Sequence, residues 1–169
     1  MGSAVLVLGG ARSGKSRYAE ARGDALPGRH VYVATAQPFD AEMTARIARH
    51  RAGRAPHWHS VECPLELIDT ILAHDADDSV ILVDCLTLWL SNLMLAERAI
   101  APERERLSAL LSALRGTLLL VSNEVGQGIV PDNALARAFR DEAGWLHPAL
   151  ARTAAETWFV TAGIPQRLK

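Results

Sequence analysis

The sequence predicts an α/β fold: a mainly parallel sheet covered by helices on both faces. Three observations lead there. Residues 4–8, 80–83 and 117–122 are short runs dominated by apolar residues, the pattern of strands buried on both sides. Helix-patterned segments separate these runs, and alternating strands and helices build parallel sheets. Between the first run and the first helix lies Gly9-Gly10-Ala11-Arg12-Ser13-Gly14-Lys15-Ser16, which satisfies G-x-x-x-x-G-K-[ST]. Strand, glycine loop and helix together make the phosphate-binding P-loop, so the expectation is one P-loop NTPase-type domain over residues 1–169.

Each element has a local reason. Residues 17–22 contain no Gly, Pro or β-branched residue and continue the first helix out of the loop. Pro27-Gly28 is a turn, and residues 30–35 read as the second strand. Asp40 is a suitable N-cap for a helix running to about Gly53, with Glu42 in its first turn. Spacings of four, three and four put Met43, Ile47, His50 and Arg54 on one face of that helix. Residues 58–63 fit a short strand, 64–74 a helix, and 80–84 a buried strand ending in Asp84. An apolar helix follows over 87–96. After the break at Ile100-Ala101-Pro102 comes a helix with the stripe Leu107, Leu110, Leu111 and Leu114, closed by Gly116. The strand 117–122 leads into a loop over 123–131. A helical region over 133–156 is expected to be interrupted at Gly144 and Pro148. Residues 157–161 form the last core strand, and Trp89, Trp145 and Trp158 read as core.

Composition narrows the class. Apolar and charged contents of 49% and 22% are those of an ordinary globular chain. A net charge of −1 with dispersed arginines argues against a nucleic-acid surface. No apolar run reaches the roughly 18 residues of a membrane span, and the start of the chain does not read as a signal peptide. Cys63 and Cys85 form no C-x-x-C, so a reduced, cytoplasmic protein is expected.

The chemistry follows from where ligands bind in such sheets, beyond the carboxyl ends of the strands. The P-loop, Thr35, Asp84 and Glu124 all fall at strand ends and should converge there. Gly9, Gly10 and Gly14 permit positive φ and close approach, letting backbone N–H groups face phosphate oxygens. Lys15 would reach the β- and γ-phosphates, and Ser16 and Asp84 would hold Mg²⁺. Glu62 and Glu124 are weaker candidates for substrate contacts. His50 shares a face with Arg54 and has Arg46 and Arg51 within a turn. Guanidiniums there suit a phosphate-rich ligand and favour a neutral imidazole, which can act as a nucleophile. A structural His50 stays open on spacing alone. The His57-Trp58-His59 pair lacks further metal ligands and reads as surface.

These residues together resemble the bifunctional adenosylcobinamide kinase / adenosylcobinamide-phosphate guanylyltransferase family of cobalamin biosynthesis. The resemblance runs almost end to end. It rests on the P-loop 9–16, Tyr32-Val-Ala-Thr-Ala-Gln37, Arg46-Ile-Ala-Arg-His-Arg51, Trp58 and Glu62, and Asp84-Cys-Leu-Thr-Leu-Trp89 with Asn92-Leu93. Ser122-Asn-Glu-Val-Gly-Gln-Gly-Ile-Val-Pro131 and Leu135-Ala-Arg-Ala-Phe-Arg-Asp141 complete it. The resemblance implies that ATP or GTP phosphorylates the aminopropanol hydroxyl of adenosylcobinamide. GTP then guanylylates a histidine, which passes GMP to the new phosphate to give adenosyl-GDP-cobinamide. By correspondence the histidine is His50, and Ala34, Thr35, Ala36, Arg51, Ala52, Gly53, Arg54, Glu62 and Asp84 contact GTP. A homo-oligomer is implied too. Some members of the family carry a second histidine beside the first; here that neighbour is Arg49. Leu146-His147-Pro148 departs from the family's Asn-Gln, and Pro148 should break its helix. A small-molecule kinase with a structural His50, or a GTP-binding switch, are the competing readings; a recognisable N-K-x-D guanine motif is missing.

Overall fold

The computed structural model describes residues 2–169, with the Arg46 side chain outside the described set. Its strands are β1 (Ser3–Gly9), β2 (Arg29–Ala34), β3 (His59–Glu62), β4 (Ser79–Asp84), β5 (Thr117–Asn123), β6 (Glu156–Thr161) and β7 (Ile164–Arg167). The helices are α1 (Lys15–Asp24), α2 (Ala41–Ala52), α3 (Leu67–His74), α4 (Leu86–Leu95), α5 (Ile100–Leu110) and α6 (Ala134–Thr153). The strands form one sheet in the order β3-β2-β4-β5-β1-β6-β7. Every pairing is parallel except β6 with β7.

The pleat sends alternate side chains to opposite faces, which gives two cores. Leu6, Leu8, Val31, Val33, Ile81, Val83, Leu118 and Leu120 pack with α3, α4, α5 and α6. Val5, Val7, Tyr32, Val80, Leu82, Leu119 and Val121 pack on the other face with α1 and Trp58. The expected helix-covered parallel sheet is therefore present. α2 differs from the other helices, having no buried residue among those described; Met43 and Ile47 are only half-buried. Asp40 caps it as expected, its carboxylate accepting from Met43 N at 2.7 Å.

Two expectations fail at the C-terminal end. α6 runs through Gly144 and Pro148 without interruption. A proline costs an interior helix about 3 kcal/mol. Here, however, Ala143, Leu146, His147 and Leu150 are all buried on one side while Pro148 faces solvent, so packing holds the helix together. Trp145, expected in the core, is 56% exposed, with the Arg104 guanidinium 5.9 Å from its ring centre. Trp89 is buried, its indole N–H donating to Leu65 O at 2.8 Å, and Trp158 is half-buried. The hairpin strand β7 lies beyond the elements expected from the sequence. Ala162 and Gly163 turn it back with φ of 52° and 77°.

Candidate functional site

Parallel strands all end on the same edge of the sheet, so the carboxyl ends of β1, β2, β3, β4 and β5 converge, as the sequence requires. β1 delivers the P-loop. Of its three glycines only Gly14 has a positive φ, 94°; the other left-handed residue is Arg12, at 56°. Gly9 is needed for space, because a Cβ there would lie 2.5 Å from Ser13 Oγ and 2.7 Å from Val160 O. Lys15 opens α1, is almost fully buried, and donates to Gly10 O at 3.1 Å, so its ammonium lies curled inside the loop. The Ser13 hydroxyl is buried without a hydrogen-bond partner.

A cavity of about 740 Å³ opens beside the loop. Lys15 and Ser16 line it with Asp84 and Asn123, while β2 supplies Tyr32 and Ala34. α2 lines it with Met43, Ile47, His50 and Arg51, and Arg54 follows just beyond the helix. The face predicted from spacing, Met43, Ile47, His50 and Arg54, does turn toward one cavity. Ala36, Ala52 and Glu62 line it as well. Glu62, at the end of β3, is ion-paired with Arg51.

Other expected residues lie elsewhere. Thr35 is fully buried, and its hydroxyl donates to Cys85 O and accepts from Cys85 N, at 2.7 and 2.9 Å. It braces β2 against the cis peptide Asp84–Cys85 instead of lining the cavity. Gly53 caps α2. Glu124 turns away, its carboxylate accepting from Gly126 N, while its own N–H donates to Gly9 O at 2.9 Å. Arg12 lies outside this cavity and lines a second one, about 320 Å³, with Glu42, Arg49 and His50. His50 thus borders both.

Sequence reasoning missed Tyr32 and Glu20. The Tyr32 hydroxyl donates to Asp84 Oδ2 at 2.7 Å, and the Arg54 guanidinium stacks 3.3 Å from the centre of its ring. Burial, reinforced by the Asp84 carboxylate, pushes the phenol far above its ordinary range, so it remains a donor. Arg54 also donates to Ser60 Oγ at 2.5 Å, while its Nε is buried without a partner. Glu20 on α1 is held above the usual carboxylate range, first by burial and then by Asp84. The available signal was positional. Tyr32 lies two residues before the end of β2, on the same face as Ala34, which is in register with Asp84. Glu20 follows Ser16 by one helical turn.

No group of three or more His, Cys, Asp or Glu among the described residues could hold a metal by itself. A cation here would have to share Ser16 and Asp84 with bound phosphates. Their shared cavity, and an Asp84 carboxylate of which only Oδ2 is engaged by Tyr32, fit such a hard ion. No helix among the described residues is long and apolar enough to cross a membrane.

Among solved structures, the chain resembles the P4 protein from bacteriophage phi6 in complex with ADP, with a TM-score of 0.54 at 11% identity. That match covers 97% of this chain and 52% of the other. The P4 protein from bacteriophage phi13 gives 0.51 at 12% identity, over 97% and 53% of the two chains. This chain thus spans about half the length of each, and at such identities the likeness establishes the fold alone. Sequence relatives reach further. The bifunctional adenosylcobalamin biosynthesis protein CobP of Pseudomonas aeruginosa is 50% identical over 97% of this chain and 96% of its own. The bifunctional adenosylcobalamin biosynthesis protein CobU of Salmonella typhimurium is 45% identical over 98% and 99%. The cobinamide kinase / cobinamide phosphate guanyltransferase family model matches residues 5–168. On a match of that extent, the chain belongs to the cobinamide kinase / cobinamide phosphate guanyltransferase family.

Proposed function

We infer that this chain carries out both reactions of its family at one sheet edge. The hydroxyl of adenosylcobinamide attacks the γ-phosphorus of ATP or GTP, giving the phosphate ester and a nucleoside diphosphate. GTP then guanylylates His50 with loss of pyrophosphate, and GMP passes to the phosphate ester to give adenosyl-GDP-cobinamide. The observation that carries this reading is that His50 of α2 and Lys15 and Ser16 of the P-loop line one cavity.

In the first reaction the loop N–H groups and Lys15, which donates to Gly10 O in the unliganded loop, receive the β- and γ-phosphates. Mg²⁺ held by Ser16 and Asp84 would neutralise charge developing on those phosphates. Tyr32 keeps the Asp84 carboxylate oriented. In the second reaction a His50 nitrogen forms a P–N bond to the α-phosphorus, splitting one difficult transfer into two. Arg51 and Arg54 contribute positive charge along the same wall.

The test is turnover with adenosylcobinamide and triphosphate, in wild type and Lys15→Ala. Wild type should yield the phosphate ester and then the GDP derivative. Lys15→Ala should lose the first product by roughly a hundredfold or more, yet still use added adenosylcobinamide phosphate. Undiminished phosphorylation in Lys15→Ala would remove the P-loop from the reaction.

A further inference from the structure

Thr44, Glu62, Cys85 and Asn123 line the cavity shared by the P-loop and His50 without a part in either reaction so far. The first three are engaged within the protein. The Thr44 hydroxyl donates to Asp40 O at 2.8 Å, Glu62 is ion-paired with Arg51, and the buried Cys85 thiol lies 3.2 Å from Thr87 Oγ1. Asn123 differs. Its Nδ2 donates to Thr87 Oγ1 at 2.9 Å, and its backbone N–H donates to the same hydroxyl at 3.4 Å. Its carbonyl Oδ1 has no hydrogen-bond partner among the described residues and is open to solvent. An amide held by its nitrogen end thus offers one uncharged acceptor to the cavity.

The sheet fixes where that acceptor stands. β5 lies between β1, which carries the P-loop, and β4, which carries Asp84. Asn123 is in register with Gly9, and Val121 with Asp84, so Asn123 lies two residues beyond the carboxylate on the same face of the sheet. The attacking group in phosphorylation is a neutral alcohol, whose O–H needs an acceptor once water is excluded. A carboxylate in that place would repel the triphosphate; an amide oxygen would not. Phosphoryl transfer depends more on positioning than on early proton removal, so a fixed, weakly basic acceptor suffices. We propose that Asn123 Oδ1 accepts the O–H of the aminopropanol hydroxyl and aims its oxygen at the γ-phosphorus. As the new O–P bond forms, the bond from the γ-phosphorus to the bridging oxygen breaks and the nucleoside diphosphate leaves. The amide orients the hydroxyl proton without taking it; the proton passes to an oxygen of the transferred phosphoryl group. Thr87 is a positioning residue, because its hydroxyl holds the amide by Nδ2.

This rests on the kinase reaction inferred above, and the experiment separates the two ideas. Wild type comes first: a failure to make the phosphate ester from adenosylcobinamide denies the reaction itself. Ester and nucleoside diphosphate are then both measured for Asn123→Ala, Thr87→Val and Thr87→Ser, with Tm confirming that each is folded. Asn123→Ala should lower kcat for the ester by roughly ten- to a hundredfold, with KM for the triphosphate and the Mg²⁺ requirement near those of wild type. The ester formed per nucleoside diphosphate released should also fall, because water replaces an alcohol that is no longer held. Thr87→Val should show the same loss of coupling more weakly, and Thr87→Ser, which keeps the hydroxyl, should restore it. A folded Asn123→Ala protein with wild-type kcat and coupling would overturn the proposal. So would an equal loss of ester formation and triphosphate hydrolysis with a raised Mg²⁺ requirement, which would put Asn123 on the phosphates instead of the alcohol.

Discussion

At the scale of single residues, Tyr32 links the two halves of the site. Its hydroxyl holds Asp84, beside the P-loop, and its ring carries Arg54, beside α2. Substitutions can separate these roles. Tyr32→Phe removes one charge-assisted hydrogen bond and keeps the ring, so phosphorylation should fall roughly tenfold and demand more Mg²⁺, with GMP capture nearly intact. Tyr32→Leu removes the ring as well and should also weaken capture, since a cation–π contact contributes about 0.5–2 kcal/mol. Parallel assays of phosphoryl transfer and GMP capture check this; equal losses in Tyr32→Phe would contradict it. Much of the site was legible at this scale. Lys15, Ser16, Asp84 and the α2 face came from a motif and a helical period, both of which act over a few residues. Tyr32 was not legible as a site residue, because its role depends on the register between β2 and β4, a long-range pairing that no local pattern encodes.

At the scale of elements, the loop after β1 shows how two adjacent glycines differ. A Cβ on Gly9 would collide with Ser13 Oγ and the carbonyl of Val160 in β6, whereas a Cβ on Gly10 meets nothing within 4 Å. Gly9→Ala should therefore force apart the β1–β6 junction and lower Tm by roughly 5–10 °C, with Gly10→Ala close to wild type. Thermal unfolding of the two variants decides it, and equal effects would contradict the packing account. Motif reading treats both glycines alike, because it records a shared tolerance and not which neighbour sits above each. α6 teaches the complementary lesson. Proline is a strong local signal against a helix, yet burial of Leu146, His147 and Leu150 outweighs it where the ring points to water. The exposed Trp145 has the same cause, since the buried stripe of α6 passes it by.

At the scale of the whole molecule, the fold class was legible because buried parallel strands and intervening helices leave coarse, repeated patterns. The strand order was not, nor was the antiparallel β7, whose pairing depends on a turn at Ala162-Gly163. One long-range contact makes stability depend on pH. His147 in α6 shares a hydrogen bond of 2.8 Å with Ser122 in β5 and has Glu124 at 4.0 Å. Burial lowers its pKa below 6.5, more than the Glu124 carboxylate raises it. The folded protein thus binds fewer protons at His147 than the unfolded chain in the window just below pH 6.5, and stability should fall as pH drops through that window. His147→Gln should flatten this part of the stability–pH curve, as measured by urea unfolding between about pH 5 and 7; an unchanged slope would contradict it. In the function proposed above, the two activities also belong to the molecule as a whole, because they would join the P-loop of the sheet to the His50 of a helix that stands off it. The most direct measurement uses GTP labelled at the α-phosphate, with wild type and His50→Ala compared side by side. Wild type should retain an acid-labile, base-stable label, His50→Ala should retain none, and phosphorylation of adenosylcobinamide should survive in the variant with its Tm unchanged. Label retained by His50→Ala, or loss of both activities with a lowered Tm, would contradict the account.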